Sequence, residues 1–255
     1  MTPRVAVLSL LVLSLQGATL ESSGATVVSE TVVSEPAPAS NSASTSASGR
    51  LAPEGFPDEP TDARTLLRAL ATVEGLEARF KESKHLALLR APLVSEGRLY
   101  YVRPGHMARI VDTPTPSTVR IGPHSLELRD SSGTQQVDLR SRPDIKMFVE
   151  SFVHVVAGHY DQLASTYTLA FTPAPAATND EGERKPWRLT LTPARKPLSD
   201  LVERLEIRGT GYEVATIEVI ETHGDTTEIT MSAVDPRRRF SDEERERIFG
   251  LPPAS

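Results

Sequence analysis

The sequence predicts an α+β protein, mainly β, built on a single large, curved antiparallel sheet. Three observations carry this expectation. Two segments repeat apolar residues at helical spacing, most of the remainder alternates apolar and polar residues with period two, and turn-forming residues rather than helices separate most successive strands.

The chain has 255 residues and a net charge of −6, enough length for a real core and the wrong sign for a basic nucleic-acid binder. Residues 5–15 form an apolar run behind Arg4, as a secretory leader needs, shorter than the about 20 apolar residues of a membrane-spanning helix. Small residues place cleavage after Ala18 or after Ala25, so residues 1–25 are read as a signal peptide. Residues 26–57 are rich in Ser, Thr, Ala, Pro and Val, a composition that buries too little surface to offset ordering entropy, and are expected to be a disordered linker. The folded domain is expected over 58–235, followed by a charged tail over 236–255. The chain contains no cysteine, which excludes disulfides, thiolate metal sites and an acylated N-terminal cysteine. The product is expected to be exported but not itself a lipoprotein.

The first helix is expected over 62–77, where Leu66, Leu67, Leu70, Val73 and Leu76 follow the capping-type residues Thr61 and Asp62. From residue 77 to 136 the period shortens to two, with breakers at Pro92, Pro104, Pro114, Pro116, Gly122 and Gly133, which reads as a meander of short antiparallel strands. Between Pro143 and Gly158 the helical period returns, with Ile145, Phe148, Val149, Phe152, Val155 and Val156 on one broad face. Strands then resume at Tyr167, Leu169 and Phe171, at Leu189 and Leu191, and at Leu205 and Ile207. Two more follow at Ala215, Ile217 and Val219 and at Thr227, Ile229, Met231 and Ala233. A sheet of about 10–11 strands with one apolar face buries that face either by closing into a barrel or by covering it with helices.

The segment "EGRLYYVRPG" places Gly97, Leu99, Tyr101, Arg103 and Pro104 in a Gly-x-Leu-aromatic strand that runs into Arg-Pro. With the preceding "GLEARFKESKHLALLRAPLVS", the apolar helix after the first strands, and "WRLTLTP" followed by "LVERLEIRG", the chain over roughly residues 62–235 resembles the LolA family of periplasmic lipoprotein carriers, in its divergent LolA-related branch. The resemblance implies an unclosed β-barrel with helices over its concave apolar face, no cofactor and no enzymatic activity. It also implies a location in the periplasm and a monomeric carrier of acylated lipoproteins or other lipid cargo. Its implied partners are an inner-membrane lipoprotein-releasing transporter and an outer-membrane acceptor, and nucleic acid is not among them. Related branches imply alternatives: a carrier of glycolipid or polyene conjugates, or a lipid-sensing module of an envelope-stress response.

Within that resemblance Arg103, with Pro104, is the expected gate, pointing into the cavity and holding the helical lid through hydrogen bonds to lid carbonyls. Met107, three residues beyond the proline, falls on a loop expected to meet the transporter. Alternation places Leu99, Tyr101, Tyr167, Leu169, Leu189 and Leu191 on the concave face, joined by Ile217, Val219, Ile229 and Met231 from later strands. Phe148 and Phe152 face them from the second helix. Leu, Ile, Val and Met at such positions accept an acyl chain without demanding one geometry. Other signals read as structure: His154 and His159 lack a partner carboxylate at metal-ligand spacing, Gly209 and Gly211 form a turn, and Ser131 and Ser132 lack a nucleophile-elbow context. The basic run 237–239 is offset by the acidic run that follows it and reads as a solvated face.

Overall fold

The computed structural model describes residues 53–173 and 184–252. The leader and residues 26–52 of the expected linker lie outside the described residues.

Asp62 sets the start of α1 (Ala63–Leu70): its Oδ1 accepts the Thr65 N–H at 2.8 Å. Leu66 and Leu67 are fully buried. The helix ends well before residue 77, with the Thr72 hydroxyl donating to the Ala69 carbonyl at 2.7 Å, and Gly75 already opens β1 (Gly75–His85). Leu76 satisfies both periods, at i+3 from Val73 and at i−2 from Ala78. The strand wins because Leu76, Ala78 and Phe80 then share the face that meets the core.

Five strands follow as a meander, β2 (Leu93–Val102), β3 (His106–Thr113), β4 (Ser117–Ile121), β5 (Ser125–Asp130) and β6 (Gly133–Asp138). Helices α2 (Pro143–Val156) and α3 (Tyr160–Thr166) then lead to β7 (Tyr167–Pro173), β8 (Pro186–Pro193), β9 (Val202–Thr210), β10 (Glu213–Glu221) and β11 (Thr226–Asp235). The spatial order is β6-β5-β4-β3-β2-β1-β11-β10-β9-β8-β7. Every neighbouring pair is antiparallel, and β1 joins the two meanders by pairing with β11. Strands β6 and β7 remain unpaired edges, so the sheet curls without closing, and α2 and α3 make the crossover between those edges.

Alternate residues of all these strands meet α1 and α2 in one core that includes Phe80, Leu99, Val119, Leu126, Ile145, Phe148, Leu189 and Ile207. Gly97 lets β2 and β3 approach at a register shift: a Cβ there would lie 2.0 Å from the Ile110 carbonyl oxygen.

Two expected inward positions are reversed. Ala215 is exposed because the β9–β10 register shifts between Val214 and Thr216. Ala233 is exposed because the β1–β11 register shifts beside it, with Ala233 at φ 48°. Each bulge flips the parity of what lies beyond, so Val214 and Val234 take the inward places.

The segment expected as a charged tail is packed on the domain over its described part. Ser241 and Glu244 form a reciprocal cap on α4 (Asp242–Glu244), which continues as a π turn over Arg245–Phe249. Ile248 and Phe249 cover Tyr100, Val102 and Ala108 on the convex side of the sheet. Arg120 donates to the carbonyls of Ile248 at 3.0 Å and Arg247 at 2.8 Å. Arg238 pairs with Glu77 and with Glu244 rather than forming part of a free basic face.

Candidate functional site

The two parity flips and the early end of α1 together leave a space. A cavity of about 260 Å³ lies between the sheet and the ends of the helices. Its floor is Leu76, Leu99, Ile217, Met231 and Val234, and its roof is Leu70 and Val73 after α1 with Val155 and Val156 at the end of α2. The β9–β10 hairpin supplies Tyr212 and Val214, while Asp58, Arg184, Glu213 and Arg237 stand at the margin. The hairpin is held rigidly: Trp187 Nε1 donates to the Gly211 carbonyl at 2.7 Å, and the Tyr212 hydroxyl donates to the Pro57 carbonyl at 2.9 Å. An apolar hollow with charge only at its margin suits an amphiphile that buries its chain and leaves its head in water.

The roof is fastened at one corner. Arg103 Nη2 donates to the carbonyl of Ala71, the C-terminal cap residue of α1, and Arg103 N donates to the Glu74 carbonyl at 3.0 Å. A guanidinium at a helix C-terminus also meets the negative end of the helix dipole. The end of α2 closes on the same place. Gly158, at φ 68°, sits where a Cβ would be 2.1 Å from the Leu67 carbonyl oxygen, so the two helix ends touch through backbone. His154 and His159 lie beside this contact with ring centroids 5.3 Å apart. Burial, then the neighbouring His159, pushes the His154 imidazole down to about 4. Burial, then Arg103, lowers His159 as well, so both rings are neutral near pH 7.

The expected site residues separate into groups. Leu99, Ile217 and Met231 line the cavity. Phe148, Phe152, Tyr167, Val219 and Ile229 surround a void of only about 10 Å³. Tyr101, Leu189 and Leu191 are close-packed core, and Leu169 is half-buried at its margin. Arg103 and Pro104 are exposed at the rim, so the guanidinium reaches a lid carbonyl from outside rather than from within. Met107 is not on a loop. The turn after Val102 is so tight that His106 already pairs with Val102, which puts Met107 opposite Tyr101 in β3 at 1% exposure, out of reach of any partner.

Sequence reasoning missed a buried ionic cluster on the concave face. Arg109 Nη2 donates to Glu82 Oε2 at 3.0 Å and to the Ser95 hydroxyl at 3.2 Å, while its guanidinium lies 4.5 Å from the Phe80 ring centroid. Lys84 and Glu221 form a second pair at 3.8 Å. Burial raises the Glu82 carboxyl above its usual range, opposed by Arg109. The signal was available, because Glu82 and Lys84 share the parity of Phe80, and Arg109 that of Met107 and Val111. Among the described residues no group of three or more His, Cys, Asp or Glu is placed to hold a metal ion. No described helix is long and apolar enough to cross a membrane.

The architecture is an unclosed antiparallel sheet with helices over an apolar hollow. The family described as "Outer membrane lipoprotein carrier protein LolA-like" matches residues 56–237, more than half of the chain, and the chain belongs to that family. Solved structures similar to it include the LolA superfamily protein NE2245 from Nitrosomonas europaea, 8% identical over 72% of this chain and 97% of that one, TM-score 0.38. A putative outer membrane lipoprotein-sorting protein domain from Vibrio parahaemolyticus is 11% identical over 72% and 96%, TM-score 0.40. MucB is 12% identical over 71% and 61%, TM-score 0.41. No curated protein matches the sequence.

Proposed function

We propose that this chain is a periplasmic carrier that takes acylated lipoproteins from an inner-membrane transporter, holds their acyl chains in the cavity, and delivers them to an outer-membrane acceptor. The observation that carries the proposal is the apolar cavity between Leu99, Ile217 and Met231 below and Leu70, Val73 and Val156 above. Each methylene moved out of water is worth about 0.8 kcal/mol, so acyl chains need such a surface to cross an aqueous compartment. Delivery also requires an empty form with its own favourable arrangement, and the Arg103 bond to Ala71 supports that part of the proposal by closing the roof. Entering cargo lifts the roof against that bond, which keeps retention weaker than the cavity surface alone would make it.

Titration with a fluorescent triacylated lipopeptide tests this. Saturable binding is expected, and Met231→Trp, which fills the floor, is expected to weaken it at least about tenfold. Absence of saturable binding, or equal binding by Met231→Trp, contradicts the proposal. Binding of free phospholipid but not of lipopeptide moves the cargo to another lipid class.

A further inference from the structure

The hairpin between β1 and β2 presents apolar side chains to water. Leu88 is 97% exposed, Leu89 49%, Val94 42% and Leu93 41%, and these are the large hydrophobic residues the described fold leaves outside. The loop is not slack. Leu89 N donates to the Leu86 carbonyl at 2.9 Å, and Ala87 N donates to Asp225 Oδ1 in the β10–β11 turn at 2.8 Å, so the leucines are held outward on a braced tip. Apolar residues fixed in that way cost solubility without adding to the core, and a surface that receives them is the physical reason to keep them.

We infer that this tip inserts into the headgroup region of an anionic lipid bilayer. A stable protein interface buries roughly 800 Å² per partner over about 20–30 residues, which a narrow hairpin tip does not offer. Shallow insertion into a bilayer needs only a few apolar side chains with cations beside them. The charge fits. Residues 85–94 contain Arg90 as a full cation beside His85 and no carboxylate, and the neighbouring Asp225 carboxylate is engaged by Ala87 N, in a chain whose net charge is −6. His85 and Arg90 are exposed, whereas Lys84 is buried against Glu221. The tip is also remote from the cavity. Leu93 stands six residues along β2 from Leu99, about 20 Å at strand rise, and the roof corner at Arg103 lies farther still. A molecule held by this hairpin keeps its cavity mouth clear of the bilayer and open to a second partner.

The test is local to the tip. Leu88→Trp places an indole at the apex, and the native Trp187 is buried and gives a constant background. With vesicles of phosphatidylethanolamine and phosphatidylglycerol, the emission of Leu88→Trp is expected to shift to the blue. Adding Leu89→Asp is expected to raise the half-saturating lipid concentration at least about tenfold. Arg90→Glu and added salt are expected to weaken the anionic response, and phosphatidylcholine vesicles to give less of it. Lipopeptide binding by the same variants should be unchanged, which separates this inference from the carrier proposal. Emission that does not move at any lipid concentration, or a titration indifferent to Leu89→Asp, overturns it. Crosslinking from position 88 to one protein, with no vesicle response, overturns it in favour of a protein partner.

Discussion

Replacing Arg103 by leucine removes one side-chain hydrogen bond and one cation from the end of α1. The acceptor is the Ala71 carbonyl and Arg103 is exposed, so the bond is worth about 0.5–1.5 kcal/mol and the helix-terminus term about 0.3–1 kcal/mol. Their sum is discounted for solvent to about 1–1.5 kcal/mol, which is a five- to tenfold change in an equilibrium constant. In the carrier proposed above, only the closed, empty form contains the bond. Arg103→Leu is therefore expected to bind the lipopeptide about five- to tenfold more tightly and to release it more slowly to acceptor vesicles. The same loss should lower the melting temperature by about 2–6 °C, and Arg103→Lys, which keeps a cation near the helix end, should fall between. Binding and release within twofold of the native protein, alongside a lowered melting temperature, would refute the gate and leave Arg103 as a structural residue.

Three further outcomes follow from the geometry. His154 titrates below its unfolded value, so its neutral form stabilises the fold fully above about pH 6.5, and that stability is lost as pH falls from there toward about 4. Allowing for its partial exposure, about 1–2 kcal/mol should disappear across that window; thermal unfolding against pH should show the slope, and His154→Gln should flatten it. Glu82→Leu alone strands a buried arginine and should cost about 3–5 kcal/mol, while Glu82→Leu with Arg109→Met should recover most of it in denaturant unfolding. Gly97→Ala drives a Cβ into the Ile110 backbone and should cost on the order of 3 kcal/mol by the same assay, against little change for Gly122→Ala, where a Cβ meets nothing nearer than the Ser125 hydroxyl at 3.4 Å.

The sheet was legible because its chemistry repeats at the spacing of its geometry. Leu189, Leu191, Leu205 and Ile207 have only one way to share a face, and the breakers Pro92, Pro104, Pro114, Pro116 and Gly122 fall between the strands of the first meander. The cavity was harder to see, because it exists where repetition stops. Val214 and Val234 face it only through bulges that period-two counting carries straight past, and Leu70 and Val73 form its roof only because α1 ends early. Met107 was misplaced by assuming a loop where a tight turn returns the chain to the sheet at once. The packed C-terminal segment also had a signal. The unbroken apolar run Tyr100, Tyr101 and Val102 marks a strand covered on both faces, and Phe240, Ile248 and Phe249 were the residues available to cover the second.

The most direct test of the carrier is photocrosslinking in living cells from a probe at Leu99, on the cavity floor, with mass spectrometry of the adducts. Acylated proteins crosslinked at this position, and lost when Met231→Trp fills the cavity, are the expected result; a probe that captures no acylated species, or captures the same species with the cavity filled, would contradict it.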